Sequence, residues 1–186
     1  GGKTYLELQE IVRKKGIRPV RLDHRSAPRY INGVRFETVY PPRGFERRKA
    51  SQAWRSMNNN SLVLRVCFGK TSFLLCGDIE SEAESELVDM SCERLASDVL
   101  LVPHHGSKTS STRRFLNCVD PSVAVISAGW NNGFGFPHEQ VIRIYTEIGC
   151  RVFRTDRQGA VTIISDGRRI RMRTFLTRPE QEDPAE

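Results

Sequence analysis

The sequence predicts an α/β protein, and two observations carry that prediction. Three apolar runs each stop at residues that can do chemistry. Phe73-Leu74-Leu75-Cys76-Gly77 leads into Asp78, Leu100-Leu101-Val102-Pro103 into His104-His105-Gly106-Ser107, and Val123-Ala124-Val125-Ile126-Ser127, through the glycine-rich loop 129–135, to Pro137-His138. Each run is also followed by helical spacing, over residues 81–88, 111–118 and 138–148. Strands of open α/β sheets present ligands from their carboxyl ends, so the ends of neighbouring strands can converge on one spot.

The remaining elements follow in chain order. Residues 5–15 have helical spacing with acids first, bases last and Gly16 as a stop, an order that suits the helix dipole. Residues 34–39 alternate as a half-buried strand after the turn Asn32-Gly33, and Pro41-Pro42 ends it. Residues 62–68 and 72–76 flank Gly69-Lys70 as a hairpin, and Arg168-Arg169-Ile170-Arg171-Met172-Arg173 alternates cation with apolar side chain on a terminal strand. The tail 178–186, rich in proline and acid, reads as disordered. No repeat, linker or second domain interrupts residues 1–177.

Composition bounds the class. The chain has 186 residues, 38% hydrophobic and 27% charged, which fits an ordered protein with one core. No window approaches the roughly 18 consecutive apolar residues of a membrane span, and no signal-peptide pattern opens the chain. The five cysteines are scattered without C-x-x-C spacing and mostly inside apolar runs, so they are expected to be buried free thiols.

The net charge of +7 favours an anionic partner where the excess is grouped. One group is the loop from Arg43 to Arg55, where Arg47 and Arg48 are candidate phosphate contacts. Phe45 and Trp54 interleave there with the cations, as in platforms that bind single strands. The other is the 168–173 strand, which either tracks a phosphate backbone or deters edge-to-edge aggregation.

Asp78, His104, His105 and His138 together make an N/O donor set suited to zinc, manganese or iron. The turn 106–112 precedes a helix. Its N–H groups, with Ser107, Ser110 and Lys108, form either a phosphate cradle or an ordinary N-cap. His24 and Asp156 read as structural.

Read together, these segments carry a resemblance. They are Asn59-Asn60-Ser61-Leu62-Val63-Leu64, Leu74-Leu75-Cys76-Gly77-Asp78-Ile79-Glu80, Val102-Pro103-His104-His105-Gly106-Ser107-Lys108 with Ser110, Pro137-His138, and Arg154-Thr155-Asp156-Arg157-Gln158-Gly159-Ala160-Val161. Their order and spacing resemble the metallo-β-lactamase superfamily and, within it, the C-terminal domain of the ComEC DNA-uptake proteins.

The resemblance implies an αβ/βα sandwich, incomplete at its N-terminus, that holds two divalent ions, manganese or zinc, in the complete domain. It implies hydrolysis of the DNA strand not carried into the cell. Asp78 matches the carboxylate that bridges two metals, and His105 a metal ligand. His104 and His138 would ligate, contact phosphate or protonate a leaving group. Single-stranded DNA and the transmembrane channel domain of the same parent are the implied partners. The parent would sit in the cell membrane, with this domain soluble and extracytoplasmic.

Two departures qualify this. The superfamily's His-x-His-x-Asp-His signature has no counterpart, because Pro19 and Arg21 stand where Asp23-His24 would need further histidines. Met57-Asn58-Asn59-Asn60 stands where many members carry another metal histidine. The metal site of this chain is therefore expected to be incomplete, as in a fragment or a pseudoenzyme, and the chain alone can be inactive. The alternative from another class is a DNA-guiding module without catalysis. A hydrolase of small substrates such as β-lactams fits the positive charge less well.

Overall fold

The computed structural model describes residues 3–48 and 51–176. Lys49 and the tail 178–186 lie outside the described residues.

A seven-stranded sheet is laid down in strict chain order: β1 (Arg29–Ile31), β2 (Val34–Tyr40), β3 (Val63–Phe68), β4 (Thr71–Leu75), β5 (Val99–Leu101), β6 (Val123–Ile126) and β7 (Arg151–Arg154). From β1 to β4 the strands pair antiparallel, and from β4 to β7 they pair parallel. The change of direction follows from the connections. Gly69-Lys70 joins β3 to β4 as a short hairpin, whereas the crossovers after β4, β5 and β6 each contain a helix: α3 (Ser81–Ser91), α4 (Arg113–Val119) and α5 (Glu139–Glu147).

Both faces of the parallel region are covered, which explains why its strands read as unbroken apolar runs. Leu74, Leu100, Ala124 and Ile126 turn to the helical side and join Leu87, Phe115, Leu116, Val141 and Tyr145 in the main core. The alternate residues Phe73, Val99, Val123, Val125 and Phe153 face the other way. There they meet Val161, Ile163, Ile170 and Met172 of a separate two-stranded sheet, β8 (Val161–Ser165) and β9 (Ile170–Thr174). The fold is thus α/β as expected, with helices on one face of the main sheet and a second, small sheet on the other.

That small sheet is fastened at its tip. Lys70 N–H donates to the Gly167 carbonyl at 2.6 Å, and the hydroxyls of Thr71 and Ser165 meet at 2.6 Å. A Cβ at Gly69 would collide with the Gly167 carbonyl, so this approach requires glycine. On β9 the apolar Ile170 and Met172 turn inward and Arg171 and Arg173 stay exposed.

Two expectations are corrected. Cys92, just after α3, and Cys118, on α4, are joined by a disulfide with Cα atoms 5.2 Å apart, so only Cys67, Cys76 and Cys150 are free thiols. The pairing was hidden because the two residues lie 26 apart with no motif between them. They meet because α3 and the turn after it pack on α4.

The basic loop also differs from a row of free cations. Arg55 is buried, donating to Glu86 of α3 at 2.5 Å and to the Tyr40 hydroxyl at 3.2 Å. Its guanidinium lies 4.3 Å over the Trp54 ring, and Trp54 packs on the core. Neither is a surface platform, because an arginine in the interior needs both a carboxylate and a cover.

Two helices before β3 contribute nothing to this core. None of the residues of α1 (Lys3–Lys14) is buried. The single turn α2 (Phe45–Arg48) carries exposed Arg47 and Arg48. No helix among the described residues is long and apolar enough to cross a membrane.

Candidate functional site

Strand register brings the site together. Leu75, Leu101 and Val125 are partners across β4, β5 and β6, so the residues just beyond them emerge side by side at the carboxyl ends of three parallel strands. Asp78, His105 and Ser127 are those residues. Asp78 Oδ1 stands 3.5 Å from His105 Nε2, and His105 Nδ1 lies 2.7 Å from the Ser127 carbonyl oxygen.

The backbone aims both histidines. His104 and His105 adopt left-handed conformations, with φ of 49° and 54°, inside the turn Pro103–Gly106. Gly106 follows at φ 80°, and a Cβ on it would come within 2.6 Å of the Pro137 Cβ. Successive left-handed residues are costly for side chains other than glycine, and such strain gathers where a turn must present particular groups. The His104 N–H is held by the Gly77 carbonyl at 3.0 Å, which ties the turn to the end of the neighbouring strand.

The hydrogen bonds assign the imidazole tautomers. A carbonyl oxygen only accepts, so His105 Nδ1 carries a hydrogen, and in the neutral ring, the form that binds a metal, Nε2 turns its lone pair to the Asp78 carboxylate. Two acceptors facing each other at 3.5 Å leave a place that suits a cation. Roughly 3.4 Å separates two ligand atoms on one tetrahedral ion with bonds of about 2.1 Å. The carbonyl behind the ring is also the usual way a ligating histidine is oriented. Asp78 and His105 therefore fit a divalent ion as two of its donors. No group of three metal-binding side chains exists among the described residues, so the donor set here is partial.

His104 faces a different set. Its Nδ1 lies 3.5 Å from Glu80 Oε1, and its Nε2 lies 3.4 Å from the Asn58 amide nitrogen. An amide nitrogen donates, which puts the ring hydrogen on Nδ1, towards Glu80. Glu80 is itself placed by Thr109, which donates to it at 3.0 Å, and by Asn59, whose side-chain oxygen accepts the Glu80 N–H at 2.8 Å. The asparagine run that stood out as a missing histidine is thus the wall behind Glu80 and His104. In sequence Glu80 stands only as the end of the Asp78 segment, Asn58 as part of the asparagine run and Thr109 as part of the turn 106–112, and nothing local to them points to His104.

A cavity of about 380 Å³ opens over these groups, lined by Asp78, His104, His105, Ala128, Asn132, Phe134 and Phe136. His138 is not among its lining residues. It starts α5, gives its N–H to the Gly106 carbonyl at 3.0 Å, and sets its ring edge-on to Phe136 at 5.4 Å.

The turn 106–112 departs from the phosphate cradle. The N–H groups of Ser111 and Thr112 donate to the buried Glu84 carboxylate at 2.5 and 2.8 Å, so the anion at the start of α4 belongs to the protein. Thr112 caps α4. The Ser110 hydroxyl is buried and donates to the carbonyls of Pro103 and Ser107, and the Ser107 hydroxyl accepts the Thr109 N–H at 3.3 Å. These serines close the turn, whereas Lys108 stays exposed and makes no ion pair among the described residues.

Arg48 reaches Glu86 at 3.2 Å, and Arg47 lines a separate groove with Arg21 and Arg43. His24, accepting the Arg43 N–H at 3.2 Å, and Asp156, paired twice with Arg154, serve the structure as expected.

Fold and cleft together define an α/β protein whose carboxylate and imidazoles converge at the carboxyl ends of neighbouring parallel strands. No family model matches the chain. Individual proteins do: it is 42% identical over 106 residues to ComE operon protein 3 of Bacillus subtilis, covering 57% of this chain and 14% of that protein. It is 38% identical over 130 residues to competence protein ComA of Neisseria gonorrhoeae, covering 70% and 18%. Recombination protein 2 of Haemophilus influenzae is 38% identical over 109 residues, covering 59% and 14%. The chain belongs to the ComEC family of competence proteins. It spans less than a fifth of the length of these relatives.

Proposed function

We propose that this chain carries one part of a metal-dependent phosphodiesterase site that cuts the DNA strand not taken up during natural transformation. The observation that carries the reading is the Asp78–His105 pair: two acceptors 3.5 Å apart, with the imidazole hydrogen committed to the Ser127 carbonyl. The remaining donors would come from elsewhere in the parent protein. When bound, a divalent ion supplies a more acidic water and neutralises charge that builds on the phosphate.

The chain's own residues do the rest. Asp78 and His105 would hold the ion. His104, with Nδ1 directed to Glu80 and Nε2 facing the Asn58 amide, is placed to move a proton at Nε2. Lys108 offers an exposed cation to flanking phosphates, and Arg47 adds positive charge further out. The disulfide between Cys92 and Cys118 supports an oxidising, extracytoplasmic setting for the domain, in a parent held in the membrane by its channel segments.

The second reading, a DNA-guiding module without catalysis, is favoured by one observation: no third metal-binding side chain joins the pair among the described residues. Nicking of supercoiled plasmid by the full parent protein with manganese or zinc separates the two. Cleavage that Asp78→Ala abolishes supports the enzyme. Absence of cleavage, or cleavage unchanged in that variant, leaves the guide.

A further inference from the structure

We propose that Phe134, Phe136 and His105 form a stacking ladder for an unpaired nucleobase, which makes the cleft selective for single-stranded nucleic acid. This rests on the phosphodiester reading above and names the form of its substrate.

The geometry is that of a stack. The rings of Phe134 and Phe136 lie 5.7 Å apart at an interplanar angle of 17°, and those of Phe136 and His105 lie 6.4 Å apart at 26°. Near-parallel rings at these separations share one stacking direction. It runs from solvent, where Phe134 is 79% exposed, to the imidazole that faces Asp78. Among the described residues the outer face of Phe134 meets no further ring.

The loop is built to hold this arrangement. Its sequence, Gly129-Trp130-Asn131-Asn132-Gly133-Phe134-Gly135-Phe136, spreads large rings among glycines. Asn132 pins it from within: its amide donates to the carbonyls of Gly129 and Phe136 at 2.9 and 2.7 Å, and its side-chain oxygen accepts the Phe136 N–H at 3.0 Å. Two large aromatic side chains, Trp130 at 83% exposure and Phe134, are thus kept in water on a braced loop beside the cleft. Apolar rings fixed in solvent are surfaces prepared for a flat partner.

Charge selects which flat partner. With a net charge of +7 and Lys108 exposed three residues after His105, the charge favours a ligand that combines an aromatic face with phosphate. A duplex hides its base faces in its own stack and can offer one to Phe134 only after unstacking, so a free strand engages the ladder at no such cost.

Fluorescence anisotropy in EDTA tests this without hydrolysis, using the full chain and a labelled oligonucleotide as single strand, as duplex, and as an abasic strand of the same length. Phe134→Ala should weaken single-strand binding about ten- to hundred-fold, as loss of one stacked base does, and leave duplex and abasic binding unchanged. Phe134→Tyr should bind like the natural chain, and Phe134→Leu like the alanine variant. Equal loss on all three ligands, no loss on the single strand, full binding by the leucine variant, or no single-strand binding by the natural chain would each overturn the ladder. Plasmid nicking reports separately on catalysis, so a chain that stacks bases but never cuts retains the ladder and loses the phosphodiesterase.

Discussion

Glu84, in the first turn of α3, accepts the backbone N–H of Ser111 at 2.5 Å and so places a carboxylate of the protein itself at the start of the neighbouring helix α4. The same side chain takes the Thr112 N–H at 2.8 Å. These bonds lock the segment after the two histidines to the helical layer. Burial pushes the Glu84 carboxyl above its ordinary value, against the opposing pull of Thr112 and Ser111.

The folded state therefore holds the Glu84 proton more tightly than the unfolded chain does. Its contribution to stability is full below the unfolded value of 4.5 and is lost as pH rises from there towards the folded value. Glu84→Gln removes this titration, so its urea midpoint should fall less between pH 4.5 and 7 than that of the natural protein. Glu84→Ala should cost about 1–3 kcal/mol for each donor left without a partner. Identical pH profiles for the natural and glutamine proteins would refute the assignment.

Removing Glu86 should be more damaging than removing its partner's charge. Arg55 is 2% exposed, and its ties to Glu86 and Tyr40 are what allow the guanidinium inside. Glu86→Ala leaves that charge unpaired, at a cost of about 3–5 kcal/mol, whereas Arg55→Met, apolar and of similar length, should cost much less. Equilibrium unfolding in urea gives both numbers, and the order of the two is the test.

The disulfide predicts a redox-dependent stability. It closes a loop with a sequence separation of 26, for which chain entropy alone gives about 3.5 kcal/mol. Reductant should lower the unfolding midpoint of the natural chain to that of the Cys92→Ser/Cys118→Ser variant and leave the variant unmoved. A midpoint insensitive to reductant in both proteins would contradict it.

What could be read from sequence divides along a physical line. The strands β3 to β6 and helices α3 to α5 were legible because residues such as Leu74, Leu100 and Ala124 are apolar for a reason that period and burial express directly. Asp78 and His105 were legible because both follow such runs, and strand register did the rest. The disulfide, the burial of Arg55 and the capture of Ser111 by Glu84 were not. Each joins residues 26 or more positions apart, and nothing local to Cys92, Arg55 or Glu84 names the distant partner. The turn 106–112 had the same limit, since its sequence looks alike whether the anion at Ser111 and Thr112 is a ligand or an internal carboxylate such as Glu84.

Gly106 is where fold and site meet, and its substitution should expose the connection. It sits at φ 80°, where an L side chain is strained, and a Cβ would lie 2.6 Å from that of Pro137, too close for either to stay. Its carbonyl holds the His138 N–H at 3.0 Å, so displacement of the turn passes into the segment that carries Phe136 and on to the stacked His105 ring. Gly106→Ala should lower stability by about 1–3 kcal/mol and shift the His105 ring resonances in NMR spectra. Gly133→Ala is the control, because it lies on the loop that carries Phe136, with nothing within 4 Å of the added carbon. A Gly106 variant as stable as the control, with unmoved imidazole resonances, would mean that the left-handed turn does not position the histidines.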